Sequence, residues 1–415
     1  MKKPKKNYWE ERSRMSNIPK LRFPEFSGEW EEKNFYEVFD ILQNNTFSRD
    51  QLNNENGIVR NIHYGDVLIK YGDYIDCQKE KLPFINLENN LSKYEDTSYV
   101  KNGDIIIADT AEDYTAGKVT EICNVKDYKI LSGLHTFLCR TKFEFASKFL
   151  GYKLNSSSYH NQIAPLVAGT KVYSINRKAI GETTITYPSK AEQQKIADFL
   201  ANVDSIITAE TKILNTLQKK KKALMQKLFT RQLRFKSDDG TDFPAWEEKK
   251  VIDFAKVDTG ANNTQDKVED GPYPFYVRSP IIYRSNKYIF DFPEAVLTVG
   301  DGVGTGKVFH YVQGKFDCHQ RVYVIHDFEN VLGKYFYFYF SEKFYARVKP
   351  MSAKNSVDSV RREMITDMKI PIPCKTEQQK IADCFSSIDS LIQNQQKVVT
   401  TWQQRKKALL QQMFV

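Results

Sequence analysis

Two stretches of the chain carry the same narrow apolar stripe. In residues 192–229 it runs through Ile196, Phe199, Val203, Ile206, Ile213, Leu217, Leu224 and Leu228. In residues 377–414 it runs through Ile381, Cys384, Ile388, Leu391, Val398, Trp402, Leu409 and Met413. Steps of three, four and seven predict a helix with one apolar face. Neither stretch contains Gly or Pro. Each follows a proline and opens on an acidic residue, Glu192 or Glu377, which suits the positive end of a helix dipole. At about 1.5 Å per residue each helix spans about 57 Å, too long for one small domain to bury. A stripe this narrow calls for a partner helix. The related stripe in the same chain is the first candidate, and a second copy of the chain is the alternative. Two like units related by a two-fold axis would pair their helices antiparallel, with the globular parts at opposite ends of a rod. Such a rod suits two separated pieces of a duplex, since a turn of DNA advances about 34 Å. Polar residues recur at matching places, Glu210 with Gln395 and Lys221 with Lys406, where they can set register.

The stripes belong to a longer internal repeat. The two stretches align without a gap, both beginning Glu-Gln-Gln-Lys-Ile-Ala-Asp, and half of their positions are identical. Upstream, Leu21-Arg22-Phe23 leads to Phe26 and to Trp30-Glu31-Glu32-Lys33. In the same way Leu233-Arg234-Phe235 leads to Phe243-Pro244 and to Trp246-Glu247-Glu248-Lys249. Short runs ending in Pro188 and Pro373 precede the helices. The middles are diverged, with weak echoes. Ile105-Ile106-Ile107 followed by Gly117-Lys118-Val119 resembles Val296-Leu297-Thr298 followed by Gly306-Lys307-Val308, and His135 and His319 come shortly after at related places. Similar ends with dissimilar middles predict one scaffold carrying two recognition surfaces. The expected fold class is α+β: two globular α/β domains, a long antiparallel helical pair acting as a coiled-coil spacer, and a pseudo-two-fold repeat. The boundaries expected are a mobile basic arm over 1–17, a first domain over 18–188, a helix over 189–231, a second domain over 232–373 and a second helix over 374–415.

With 415 residues the chain has room for two cores, and 23 Tyr with 27 Phe supply aromatic bulk for compact mixed domains. A formal net charge of +9 is compatible with a polyanion but does not by itself identify one. The lysines at 219–222 could touch phosphates or could simply form a solvated helix end. The six cysteines form no Cys-x-x-Cys pair and no zinc-ribbon spacing, which predicts reduced, buried thiols. No apolar run approaches about 18 residues, and the N-terminus has no apolar core of a signal peptide, so a cytoplasmic protein without a membrane partner is expected. Met15 offers a second translation start.

Catalytic signatures fail one after another. The run from Gly300 to Val308 lacks the first glycine and the Ser/Thr of a P-loop, having Asp301 and Val308 there, and it also misses the dinucleotide fingerprint. It remains a strand-to-turn segment and a candidate for backbone approach to DNA. No Pro-Pro occurs, so the motif of an amino-methyltransferase is absent. Glu31-Glu32-Lys33 and Glu247-Glu248-Lys249 hold half a nuclease signature without a Pro-Asp pair before it, and read as exposed strand or turn. The six histidines show no His-x-x-x-His pair.

The repeated Glu-Gln-Gln-Lys-Ile-Ala helices, each preceded by Tyr187-Pro188 or Ile372-Pro373, and the Trp30 and Trp246 repeat starts resemble the specificity subunit of type I restriction-modification systems. The match covers the chain from Leu21 onward. The resemblance implies two target recognition domains, each reading half of a split site in double-stranded DNA. It implies that Ile196, Phe199, Val203, Ile206, Leu217, Leu224, Ile381, Ile388, Leu391, Val398, Trp402 and Leu409 form the spacer helices that dock partners. The partners implied are two modification (methyltransferase) subunits and two restriction/translocase subunits. The chain itself would carry no cofactor, with S-adenosylmethionine, ATP and Mg2+ held by those partners, and no catalytic or metal site. Within such a frame the loops near 114–118 and 302–307 and the polar stretches near 169–174 and 352–356 are candidates for DNA. Tyr114, Lys118, Thr170, Lys171, Tyr173, Arg278, Lys307, Arg321, Lys354 and Asn355 are the individual candidates. A free-standing DNA-modifying enzyme and a protein-only coiled-coil scaffold are the competing readings.

Overall fold

The periodic stretches form helices over Lys190–Phe229 and Lys375–Met413. They are seen in a computed structural model that describes residues 17–169, 171–302, 304–352 and 359–415. The arm expected over 1–17 lies outside the described residues except for Asn17, as do Thr170, Lys354 and Asn355. The chain divides into two compact units. One comprises the residues up to Thr211 together with Val398–Val415, and the other comprises Lys212–Lys397. Each unit therefore contains part of each long helix.

Within both units the helices run antiparallel. In the first, Ile196 and Leu200 share a core with Met413 and Phe414, while Asp204 meets Lys406 at 2.6 Å, so that residue numbers rise along one helix as they fall along the other. In the second, Phe229 packs against Phe385 with ring centroids 5.8 Å apart, while Lys221 meets Asp389 at 2.5 Å. The two ion pairs occupy equivalent repeat positions, so the matching lysines read from the stripes do sit in the helical seam. Burial works against the Lys406 ammonium, but Asp73 and Asp204 outweigh it and raise its pKa.

The expected stripe needs correction in its middle. Ile196, Val203 and Ile381 are buried, and Ile206, Leu217, Leu224, Ile388, Trp402 and Leu409 are half-buried. Phe199, Ile213, Leu391 and Val398 are exposed, and the buried residues beside three of them are Leu200, Leu214 and Val399. A strict seven-residue step drifts by about 20° per heptad on a 3.6-residue helix, enough to move the covered face by one residue over its length. Leu200, Met225, Phe229 and Phe385, outside the expected stripe, are all buried.

Each unit builds a sheet of similar plan. In the first, β1 (Glu31–Asn34) pairs with β11 (Thr184–Tyr187) just ahead of the long helix. A five-stranded sheet has the order β2 (Phe39–Leu42), β9 (Thr136–Thr141), β5 (Ile105–Ala108), β7 (Val119–Cys123) and β4 (Tyr74–Asp76). Beside it β3 (Arg60–Ile62) runs parallel to β8 (Ile130–Ser132), and β6 (Thr110–Ala111) pairs with β10 (Tyr173–Ser174). In the second unit, β12 (Glu247–Lys250) pairs with β19 (Lys369–Ile372). Here β13 (Lys256–Thr259), β18 (Val322–His326), β16 (Phe290–Val299), β17 (Phe309–Cys318), β14 (Tyr273–Tyr276) and β15 (Ile282–Ser285) form one six-stranded sheet. Alternating apolar residues fill the cores, and β1 and β12, with their Glu-Glu-Lys runs, are largely exposed strands as their composition required. The helix over Gly333–Ser352 adds a buried aromatic row, with Phe340 and Phe344 at 4.3 Å between centroids.

The Glu-Gln-Gln motif locks the root of each helix to its unit. The buried Glu192 accepts two hydrogen bonds from Arg22, at 2.8 and 2.7 Å, and Glu377 accepts the same fork from Arg234, at 3.1 and 2.6 Å. The next residue binds backbone. Gln193 donates to the Pro188 carbonyl and accepts from the Ala146 amide, while Gln378 donates to Pro373 and accepts from the Leu332 amide. The third residue, Gln194 or Gln379, caps the Asp one turn on, Asp198 or Asp383. The other end closes alike: the Leu21 amide donates to the Gln412 carbonyl, as the Leu233 amide does to Lys227.

One difference separates the locks. The Trp246 indole donates to Glu377 at 2.8 Å, whereas the buried Trp30 indole nitrogen has no partner among the described residues. Trp246→Phe should therefore cost more stability than Trp30→Phe, by about 1–2 kcal/mol, because only the former removes a bond to a buried carboxylate. Urea unfolding of the two variants checks this, and equal losses would contradict it.

Candidate nucleic-acid interface

Beneath their unlike sequences the two domains share a pattern of backbone hydrogen bonds. The Asp109 amide donates to the His135 carbonyl and the Gly300 amide to that of Arg321. Gly117 donates to Ala108 as Gly306 does to Val299, and Ile175 to Asp109 as Val360 does to Gly300. Gly133 donates to Ile62 as His319 does to Tyr276. Thr110 bridges to Ser174 as Asp301 does to Ser359. The echo between Ile105-Ile106-Ile107 and Val296-Leu297-Thr298 is thus real structural equivalence. The expected kinship of His135 with His319 is not: His319 takes the place of Gly133, and Arg321 takes the place of His135. The connections leading to these residues differ in length, so sequence order misaligns them.

In the first domain the candidates separate. The exposed Tyr114 lies against Tyr173, with ring centroids 4.5 Å apart, and Tyr173 continues the ladder that pairs Ser174 with Thr110. Lys171, on the same segment, is exposed. Lys118 points inward: its ammonium donates to the carbonyls of Leu68 and Tyr71 at 2.8 and 3.1 Å, and burial lowers its pKa. Near the tyrosine pair stand His135, 3.4 Å from both Asp109 and Thr110, and Tyr64, edge-on to the imidazole.

In the second domain the structure brings two candidates together. Arg278 and Arg321 approach opposite oxygens of Asp301, at 3.5 and 3.7 Å. Asp301 and Arg321 border a cleft of about 740 Å³ that Gln320, Tyr323, Ser359, Arg361, Arg362 and Glu363 also line, three arginines against two carboxylates. Arg362 in addition reaches Asp258 at 3.8 Å. Lys307 is apart from them, over the ring of Tyr345. Gln320, Arg361 and Arg362 were absent from the sequence candidates. The Arg-Arg pair, standing just past the polar stretch already singled out, was the signal that could have found Arg361 and Arg362, and Gln320 adjoins the candidate Arg321. Such a basic, hydrogen-bonding concavity suits the acceptor-rich edge of a nucleic acid. Among the described residues no group of His, Cys, Asp and Glu is arranged to hold a metal, and no helix is long and apolar enough to cross a membrane.

Residues 27–219 and 245–401 match the family described as the type I restriction modification DNA specificity domain. The chain belongs to that family. Its fold, two target recognition domains with a long antiparallel helical pair, is shared with the S subunit of a type I restriction-modification system from M. genitalium, at a TM-score of 0.61 and 16% identity over 96% of this chain and 99% of that one. Among curated relatives it is similar to the type I restriction enzyme MjaVIII specificity subunit of Methanocaldococcus jannaschii, 24% identical over 83% of this chain and 90% of the relative. It is also similar to the putative MjaX specificity subunit of that organism, at 23% identity and 95% coverage of both. As a specificity subunit the protein recognises DNA sequence.

The loop carrying Arg321 rests on a neutral imidazole. His319 Nδ1 accepts the Arg321 amide at 2.9 Å, and burial, then the nearby Arg278, lower the His319 pKa below its usual 6.5. Below about pH 6.5 the unfolded chain binds a proton that the folded subunit resists, so this contribution to stability is present at neutral pH and lost as pH falls. Intrinsic-corrected exchange at the Arg321 amide should accelerate between pH 7 and 5. His319→Asn, whose carbonyl can accept the same bond, should remove that dependence; an unchanged pH profile in the variant would count against it.

Proposed function

We propose that the two domains of this specificity subunit read the two halves of a split site in double-stranded DNA, and that the chain directs chemistry performed by others. What supports this reading is the pairing of one backbone frame with two unlike exposed surfaces: tyrosines and an imidazole on one, arginines about a carboxylate on the other. Identical halves would suit a palindrome, and unlike ones suit an asymmetric split site. Lysines and arginines near the phosphates would position each domain, while side chains at base edges would discriminate sequence. Two linked domains gain affinity through effective concentration, so that each half-site can be modest by itself.

The long helices, with Phe199, Leu391 and Val398 exposed along them, would dock two modification subunits, with two restriction/translocase subunits completing the cleaving form. Those partners would bind S-adenosylmethionine, ATP and Mg2+. The chain would then be non-catalytic alone and would act in the cytoplasm, where its DNA is.

Purification with and without the modification subunits tests the assignment. Supplied with S-adenosylmethionine, the joint complex should methylate DNA at a motif of two specific parts separated by a fixed gap, and the chain alone should transfer no methyl group and cut nothing. Methylation or cleavage by the chain alone would revive the free-standing enzyme. A complex without sequence preference would favour the scaffold.

A further inference from the structure

The shared frame matches side chains that the sequences cannot align. Tyr64 stands where Arg278 does, two residues beyond the Ile62 and Tyr276 carbonyls that accept equivalent bonds. Thr110 stands where Asp301 does, and His135 where Arg321 does. In both domains the three residues gather. Tyr64 meets His135 with ring centroids 5.3 Å apart, and His135 Nδ1 lies 3.4 Å from Thr110 Oγ1. Asp301 stands between Arg278 and Arg321.

Stability does not explain these clusters. The His135 and Arg321 side chains are 48% and 66% exposed, and exposed ion pairs contribute little. A frame that holds three side chains together while exchanging a tyrosine, a threonine and an imidazole, with Asp109 3.4 Å from that imidazole, for two guanidinium groups about a carboxylate serves something outside the fold.

Resting on the reading of the domains as half-site readers, the structure assigns these six residues as specificity determinants. Tyr64, Thr110 and His135 read one base pair of the first half-site. Arg278 and Arg321, oriented by Asp301, read a guanine in the second. An arginine fork matches the O6 and N7 acceptors of guanine in the major groove. Asp301 is what separates this from a phosphate contact: its charge would repel a phosphate, whereas a guanine edge is neutral and rich in acceptors. Asp301 touches each arginine through one contact only, at 3.5 and 3.7 Å, leaving further N–H donors for a base. The first domain has no arginine in its triad, so it reads its base pair through different donors, the Tyr64 and Thr110 hydroxyls and the His135 imidazole.

The complex of this subunit with its modification subunits can be titrated with duplexes carrying the motif it methylates and with every single-base variant of that motif. The wild-type complex should prefer guanine at one position in one half by roughly tenfold to a hundredfold. Arg278→Lys and Arg321→Lys keep the charge but lose the fork. They should reduce that preference to about threefold or less and leave the other half unchanged. His135→Ala should alter preference at one position in the opposite half only. These side chains face solvent, and far-ultraviolet circular dichroism of each variant complex verifies folding. Preference profiles unchanged in both lysine variants would overturn the assignment, as would an equal loss of affinity for every duplex, the mark of a phosphate contact. A wild-type complex with no preference at all would instead overturn the half-site reading on which it rests.

Discussion

A carboxylate with almost no exposure sits at the root of each long helix, gripped by both nitrogens of one arginine fork. Glu192 with Arg22 and Glu377 with Arg234 are the contacts on which the rest of each unit depends. Removing one partner of so buried a pair leaves an uncompensated charge, at a cost of about 3–5 kcal/mol. The arginine belongs to the segment that opens the repeat and the glutamate to the helix that closes it, so the bond ties the ends of each repeat to one another. The adjacent Gln193 and Gln378 hold the proline carbonyl and a domain amide, which fixes the helix against the sheet at its first turn. A motif that reads as a family signature is therefore a set of hydrogen bonds that ties helix, sheet and repeat start together.

Held at this root, the rest of each domain is free to vary at the other end of its strands. The same backbone bonds hold Thr110 and Asp301, or His135 and Arg321, while the side chains at those places differ in charge and shape. Side chains can change there without touching the core, because the fully buried central strands end in more exposed loops. The seam between the helices shows the complementary behaviour: its lysine–aspartate pairs recur at equivalent places, and in one unit the lysine collects a second aspartate, Asp73.

The two helices, their pairing direction and the repeat were legible in the sequence because they rest on local period and on identical residues. The middle of the stripe was not, since the drift of a seven-residue step puts Leu214 and Val399 inside in place of their neighbours. The surface was legible only in part. Arg278 and Arg321 stood out as cations, yet nothing in the sequence announced that one carboxylate 20 or more residues from either would join them. Lys118 looked equally available and is instead bound to two carbonyls. Histidines suggested the wrong equivalence because backbone hydrogen bonds, which carry the true one, leave no mark on residue identity.

In the proposed function each domain reads DNA by itself upon a common frame. Exchange of residues 34–184 for the corresponding segment of a relative with a different target, followed by sequencing of the methylated sites made with the modification subunits, tests it most directly. One half of the motif should be replaced, with the other half and the gap retained. A chimera that folds and assembles yet changes both halves, or neither, would contradict it.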